Sequence, residues 1–181
     1  MLGFFRAAAG VGCMEWFIVA LVTASLIGSV MWVMPSPRQR YQAELRMKAR
    51  KLGIQVQLVR VSLPRARGEM EGEKQSIPAY RLPRTNLERS ERDQWVGWEV
   101  LRVDTLNNQG LIENWSWSKK EAELSDAALL SINRMLEQLP DDVLGVESTP
   151  LSLTIYWDER GDETRLDKLF ALAQPLLEQK I

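Results

Sequence analysis

The segment MWVMPSPRQRYQAELRMKARK, residues 31–51, marks a change in the character of the chain. An uncharged apolar run ends at Met34, and six Lys/Arg residues follow before Leu52. Such a junction is typical of the end of a signal peptide, the exit of a membrane span or a basic nucleic-acid-binding arm. The residues on either side of the junction decide among these three interpretations.

The apolar run, residues 16–34, is 19 residues long and carries no charge. As a helix rising ~1.5 Å per residue it would be about 28 Å long, close to the roughly 30 Å hydrocarbon core of a bilayer. A signal peptide would have a shorter apolar region followed by small residues, whereas bulky residues precede Pro35 here. The run therefore predicts an uncleaved transmembrane helix, with Trp16 and Trp32 anchored at the two interfaces.

Charge is distributed unevenly along the chain. The net charge is +7 over residues 35–69 and -8 over residues 70–181, although the whole chain has a net charge of only -1. Lys and Arg accumulate on the cytoplasmic side of membrane spans. The sequence therefore predicts a single-pass bacterial inner-membrane protein with a short non-cytoplasmic N-terminus, residues 1–15, and a cytoplasmic C-terminal domain.

The basic segment, residues 35–53, predicts a second, juxtamembrane helix. Ser36 and Gln39 form a capping-box pattern at its start, and Gly53 suits its end. Such a helix can lie on anionic lipid headgroups, and the alternative is a solvated stalk. The acidic remainder of the chain argues against nucleic acid as a partner. The predicted membrane-surface contacts are Arg38, Arg40, Arg46, Lys48, Arg50 and Lys51.

The pattern after Gly53 predicts an α+β domain over residues 54–181. A capping-box pattern at residues 118–121 favours a helix that ends at Pro140, and a last helix is predicted to begin near Asp162. Each helix is predicted to bury an apolar stripe, which includes Ile132 and Leu136 in the first and Leu166 and Leu169 in the last. The order of elements predicts a small, mainly antiparallel sheet with two helices packed on it. Apolar alternation favours strands near residues 54–58, 77–82, 94–103 and 151–157.

The composition excludes several catalytic mechanisms. The chain has no His and one Cys, which rules out a Ser-His-Asp triad and a Cys-based zinc site. Three carboxylate pairs fall at predicted turns or helix starts, where capping explains them: Asp141-Asp142, Asp158-Glu159 and Asp162-Glu163. The sequence therefore predicts no enzyme, no catalytic or metal residue and no cofactor. A ligand-binding domain or a carboxylate-dependent enzyme built on these residues is the alternative.

Five tryptophans fall within residues 54–181. Trp115 and Trp117, in the segment ENWSWS, are the best candidates for an exposed partner surface, and packing inside the domain is the alternative. The leading hypothesis is a membrane-anchored, non-enzymatic adaptor or accessory subunit. Its cytoplasmic domain would bind a membrane or cytoplasmic protein, and its anchor a lipid bilayer with anionic headgroups.

In membrane topology the chain resembles YajC, an accessory subunit of the bacterial Sec translocase. The resemblance covers the apolar run and the exit segment MPSPRQRYQAELRMKARK, residues 34–51, and it implies a role in protein translocation. The Gly-rich stretch that follows in YajC has no counterpart, because GIQVQLVRV stands at residues 53–61. The chain is also similar in general style to small single-pass inner-membrane proteins of Gram-negative bacteria.

Overall fold

The computed structural model describes residues 8–33, 35–64, 74–120, 122–160 and 163–179, and it leaves out the side chains of residues 8–13, 30–33 and 163. The chain divides into two compact units, Met1–Tyr41 and Gln42–Ile181.

The first unit contains helix α1, Ala8–Val33. Across the described portions of the chain, no helix combines the length and the apolar character that a bilayer crossing needs. The predicted transmembrane helix and the single-pass inner-membrane location with a cytoplasmic domain are therefore wrong.

The second helix follows its sequence signals closely. Helix α2 comprises Pro37–Lys51. The Ser36 backbone N–H donates to Gln39 Oε1 at 2.9 Å, and the Gln39 N–H donates to Ser36 Oγ at 3.3 Å. Gly53 has a φ of +78°, the left-handed conformation that favours glycine after a helix. The predicted capping box and helix end are both confirmed.

The second unit is an α+β domain, and its sheet is antiparallel throughout. The six described strands lie in the order β1-β2-β6-β5-β3-β4. The helices after α2 are α3 (Arg89–Asp93), α4 (Asp126–Gln138) and α5 (Glu163–Glu178). The strands are β1 (Gln55–Ser62), β2 (Lys74–Pro83), β3 (Trp98–Leu101), β4 (Ser116–Lys120), β5 (Val143–Ser148) and β6 (Ser152–Trp157).

Two local predictions differ from the structure. The capping-box pattern at residues 118–121 does not start a helix, because Ser118, Lys119 and Lys120 belong to β4. Helix α4 begins later, at an N-cap formed by Ser125, whose Oγ accepts a hydrogen bond from the Ala128 N–H. Strand β5 was not expected from the sequence either. The sheet therefore has two more strands than the periodicity indicates.

One face of the sheet, called the helix face, forms the main apolar core. Leu153, Ile155 and Trp157 of β6 lie on it and are buried. Helix α5 contacts both β6 and α4. The side chains from the helices that complete this core are Leu45, Ala49, Ala128, Ile132, Met135, Leu136, Leu166, Leu169, Ala173 and Leu176, all buried.

The opposite face, called the concave face, is curled. Val61 of edge strand β1 and Leu101 of β3 belong to one buried cluster, although β2, β6 and β5 separate the two strands within the sheet. The two edge strands also border the same cavity, because residues 59–62 of β1 and residues 118–119 of β4 both line it. The sheet is therefore rolled like an incomplete barrel, with a cavity inside the curve.

A buried arginine joins the end of α5 to the sheet. Arg84 is 5% exposed and donates to the Leu176 carbonyl at 3.0 Å and to Ser148 Oγ at 3.1 Å. Its guanidinium lies 4.2 Å from the centre of the Trp95 ring. Burial lowers the pKa of Arg84 to about 10, so the group stays charged at neutral pH and satisfies carbonyls at the helix C-terminus.

Candidate functional site

A continuous row of polar side chains crosses the concave face from edge to edge. Arg81 of β2 lies opposite Thr154 of β6, and Thr154 lies opposite Glu147 of β5. Glu147 in turn lies opposite Glu99 of β3. Directly opposed residues of neighbouring strands share one face of a sheet. With a residue from each edge strand, this polar row consists of Gln55, Arg81, Thr154, Glu147, Glu99 and Lys119.

Part of the polar row is deeply buried. Thr154 is 0% exposed and Glu99 is 6% exposed, while Glu147 is half-buried. Burying a charged or polar group is costly unless hydrogen bonds or an opposite charge offset the loss of water. A buried polar row inside a curved sheet therefore needs a specific explanation.

Tyr156 lies between the two glutamates. Its hydroxyl oxygen is 3.0 Å from Glu99 Oε1 and 3.2 Å from Glu147 Oε2. Burial raises the pKa of Tyr156 far above its usual value, and the charges of Glu147 and Glu99 add to the rise. The hydroxyl therefore stays protonated, but it has a single proton to donate to the two carboxylates. The arrangement holds more acceptors than donors.

Gly145 fixes the position of the Tyr156 ring. A methyl group at residue 145 would lie 2.8 Å from the Val100 carbonyl oxygen and 2.9 Å from Cδ2 of Tyr156. The register of β5 against β6 shifts between Val143 and Gly145, which is a β-bulge. Bulges bend a strand and re-aim its side chains. The bulge and the missing side chain together leave room for the Tyr156 ring beside Gly145.

The cavity inside the curve has a volume of about 300 Å³, and its lining includes both carboxylates and basic side chains. These are Glu99 and Glu147, Arg60, Arg81 and Lys119, together with the Tyr156 hydroxyl. Lys119 stands at its rim, 69% exposed, with Nζ 3.8 Å from Glu99 Oε2. Arg81 donates to Gln57 Oε1 at 3.0 Å. Among the described residues, no Lys or Arg forms a salt bridge with Glu147. Glu147 is therefore the carboxylate with the least compensation.

The basic residues of α2 divide into two groups. Arg46 is held in the domain by two hydrogen bonds to Glu159, of 2.7 and 2.8 Å, which raise the pKa of its guanidinium. Lys48 pairs with Asp167 at 2.7 Å. These contacts bind α2 to the end of β6 and to α5. The residues Arg38, Arg40, Arg50 and Lys51 are exposed, and their contact with lipid headgroups stays a prediction.

The tryptophans singled out in the sequence are placed differently from expectation. Trp115 and Trp117 are 3% and 2% exposed, so the prediction that they are exposed is wrong. Trp117 packs edge-on against Trp98 and donates from Nε1 to the Gln109 carbonyl, while the Arg102 guanidinium covers Trp115. Trp16 is 76% exposed on α1, and the side chain of Trp32 lies outside the described residues. The assignment of Trp16 and Trp32 as interface anchors depended on the predicted transmembrane helix, so it has no basis without that helix.

The carboxylates considered in the sequence have partners that explain them structurally. Asp142 accepts from Trp157 Nε1 at 2.6 Å and from the Arg160 N–H at 2.9 Å. Asp158 pairs with Arg160, and Asp141, which is exposed, pairs with Arg102. Asp162 lies outside the described residues. An open depression borders Asp141 and Asp142, but Arg160 and Arg165 line it as well, so it is not a paired-carboxylate site.

Sequence reasoning missed Glu99, Glu147 and Tyr156. A signal was present for Glu99, since it is the only charged residue in the apolar segment QWVGWEVL, residues 94–101. A charge inside an apolar strand faces either solvent or a buried partner. Glu147 gave no such signal, because strand β5 itself was not predicted. The meeting of the three residues depends on pairing between strands that are distant in sequence.

The fold and the site together define a class: an α+β domain with a rolled antiparallel sheet and a cavity lined by charged side chains of both signs and a tyrosine hydroxyl. The described residues include no group of three or more His, Cys, Asp or Glu side chains placed to hold a metal ion. Comparison with protein-family models, with curated proteins and with solved structures gave no match. The resemblance to YajC stays a prediction, since no comparison bears on it.

Proposed function

We propose that this chain is a non-enzymatic binding module that docks a protein partner, and that the partner adds an extended segment to the outer edge of β1. The observation that carries the proposal is the state of this edge. Strand β1 is eight residues long and, among the described strands, pairs only with β2. Its outward N–H and C=O groups are a template for a further strand.

Within its own eight residues, strand β1 has little of the protection that is common in edge strands. It contains no Pro and no bulge, and Arg60 is its one charged residue. Leu58 at its centre is 69% exposed. Natural proteins commonly protect edges with charge, Pro, bulges or a covering segment. An edge left this open over eight residues favours a binding role.

The other edge, β4, is protected in several of these ways. It has five residues, and its register against β3 shifts between Glu99 and Val100. Asn107 covers its outer side, because the Trp117 N–H donates to the Asn107 carbonyl at 2.7 Å and Asn107 Nδ2 donates to the Trp117 carbonyl at 2.9 Å. Among the described residues, the domain therefore covers the β4 edge, whereas no described strand pairs with the outer edge of β1.

The test is capture of partners from native cells with three forms of the full chain: wild type, Leu58→Lys and Leu151→Lys. Leu151 is the matched control, because it is 68% exposed but lies outside β1. A charge at Leu58 disfavours addition of an apolar strand. We expect a partner that is recovered with wild type and Leu151→Lys and lost with Leu58→Lys.

Amide hydrogen exchange on the recovered complex then locates the contact. Strand addition should slow exchange of the outward-facing amides of β1, since these become hydrogen-bonded. A partner retained equally by all three forms, or a complex whose protection lies away from β1, would contradict the proposed docking mode.

A further inference from the structure

We infer that the groove between α4 and α5 is a second docking surface. Its occupant is an amphipathic α-helix of a protein partner, and this helix carries Asp or Glu side chains beside its apolar face. The surface is separate from the β1 edge, because no residue of β1 lines it. The inference therefore holds or fails independently of the proposed function.

Two adjoining depressions between α4 and α5 form one continuous groove, called the helix groove. Their volumes are about 580 and 230 Å³, and both are lined by Gln138, Ala171 and Leu172. Along α5 the helix groove extends from Arg165 to Leu176, which is roughly 16 Å, or about three turns of helix. A groove of this length between two helices accepts a third helix, because the side-chain ridges of one helix fit into the grooves of its neighbours.

Most of the surface of the helix groove on α5 is apolar. Leu169 and Leu176 line it and are buried, and Leu172 is half-buried. Ala171 and Pro175 are exposed, and their small side chains allow a partner to approach closely. Such a surface suits helix-in-groove recognition, in which an amphipathic helix places its apolar face between two helices.

The charged side chains that line the helix groove are basic. They are Arg134 of α4 and Arg165 and Lys168 of α5, and no Asp or Glu is among the described lining residues. Arg165 already pairs with Asp142 at 3.2 Å. Arg134 and Lys168 are exposed, and neither forms a salt bridge within the described part of the chain. One cation on each helix can therefore pair with an acidic group of the partner.

The basic helix groove contrasts with the domain that contains it. Residues 70–181 have a net charge of -8, whereas the lining of the helix groove lacks a described carboxylate. Complementary charge steers association and disfavours partners of the wrong sign. The lining therefore selects an acidic amphipathic helix over a basic one.

A free acyl chain with a carboxylate shares this chemistry but fits the shape less well. Sites for small molecules enclose most of the ligand surface. The helix groove is open to solvent along its length, since Gln138, Ala171 and Pro175 on its walls are exposed. An open groove between two helices favours a helix as the occupant.

The inference is tested on the full chain by NMR titration with the peptide Ac-(Glu-Leu-Ala-Glu-Leu-Leu-Ala)2-NH2, whose leucines form one stripe of a helix. Two analogues carry Gln or Lys at every Glu position. We expect saturable shifts of α4 and α5 amides with the acidic peptide, weaker binding of the Gln analogue and none of the Lys analogue. Sodium decanoate is titrated in parallel as the acyl anion.

The double variant Arg134→Gln/Lys168→Gln should weaken binding of the acidic peptide about 3- to 10-fold, as expected for the loss of two exposed ion pairs. The control Arg89→Gln/Arg92→Gln makes the same change of charge at exposed residues of α3 and should not alter the binding. Leu58→Lys on β1 should not alter it either, which separates this surface from the proposed strand docking.

Equal binding of the acidic and Lys peptides by the wild-type chain would overturn the inference, and this comparison does not depend on the folding of a variant. Peptide-induced shifts that lie outside α4 and α5 would overturn it too. Saturable binding of decanoate without binding of the acidic peptide would assign the helix groove to an acyl anion and exclude the helix.

Discussion

The two faces of the sheet use the same strands for different purposes. On β6, Leu153, Ile155 and Trp157 face the helices and are buried among apolar side chains, whereas Thr154 and Tyr156 face the concave side. The helix face has the composition of a stabilising core. The concave face carries a buried carboxylate, an unpartnered hydroxyl and a cavity, which cost stability and are typical of binding sites. Because successive side chains of β6 point to opposite faces of the sheet, one strand can contribute to the stabilising core on one face and to the cavity face on the other.

The largest expected effect is on the helix face. Ile132 of α4 is 0% exposed, and Ile132→Ala should lower the free energy of unfolding by about 2–5 kcal/mol, because it removes buried methyl groups and leaves a cavity. Urea denaturation followed by tryptophan fluorescence measures the change. The control Leu130→Ala, at a 62% exposed residue of the same helix, should change stability by less than ~0.5 kcal/mol. Similar losses for both variants would contradict the assignment of the core.

A smaller loss is expected where the concave face is tightest. Gly145→Ala should cost about 1–3 kcal/mol, since the added methyl group cannot avoid the Val100 carbonyl, and it should displace the Tyr156 ring. Thermal unfolding and the NMR signals of the Tyr156 ring report the two effects. At Gly28 of α1 no atom lies within 4 Å of an added methyl group, so Gly28→Ala should leave the unfolding of the domain unchanged. A stable Gly145→Ala domain with an unmoved ring would argue against the role given to this glycine.

The Tyr156 hydroxyl should give the concave face a pH dependence above pH 10. The folded-state pKa is raised, so the folded chain keeps the proton while the unfolded chain loses it near its ordinary value of 10.0. The contribution is therefore complete below pH 10 and is lost as the pH rises, by up to about 1.4 kcal/mol per pH unit.

The measurement is the difference in unfolding free energy between wild type and Tyr156→Phe from pH 8 to pH 11. That difference should be constant up to about pH 10 and then shift in favour of the Phe variant. Lysines and other tyrosines titrate equally in both chains, so they cancel. Parallel curves over the whole range would show that Tyr156 ionises normally in the folded domain.

The smallest expected effect has the opposite sign. Thr154→Val removes a buried hydroxyl without a partner and keeps nearly the same volume, so it should stabilise the domain by about 1 kcal/mol. Chemical denaturation measures the change. Loss of stability on this substitution would mean that the hydroxyl is paired in the folded state.

Local signals predicted local structure well. Ser36 and Gln39 form the expected capping box, and Gly53 takes the left-handed conformation at the end of α2. The apolar stripe predicted for α4, including Ile132 and Leu136, is buried as expected. These features depend on residues a few positions apart, so the interactions that determine them are present in any short stretch of the sequence.

The errors occur where distant pairing competes with a local signal. Residues 118–121 carry a helix-start pattern, but Lys119 pairs with Glu99 in the sheet. Because residues 118–120 pair in the sheet, they cannot begin a helix, and Ser125 forms the N-cap of α4 instead. Strand β5 lies between β6 and β3, and Gly145 and Glu147 break its apolar pattern because they serve the concave face.

By itself the sequence determined the composition limits, the cap and end of α2, the apolar stripes of α4 and α5, and the α+β class. Each depends on residue type or on short-range periodicity. Only the tertiary structure decided that Glu99, Glu147 and Tyr156 meet, and that Asn107 covers edge β4 while no described strand pairs with the outer edge of β1. The physical reason is that a strand register joins residues dozens of positions apart. The pairing that brings them together is a property of the whole sheet and of no single segment.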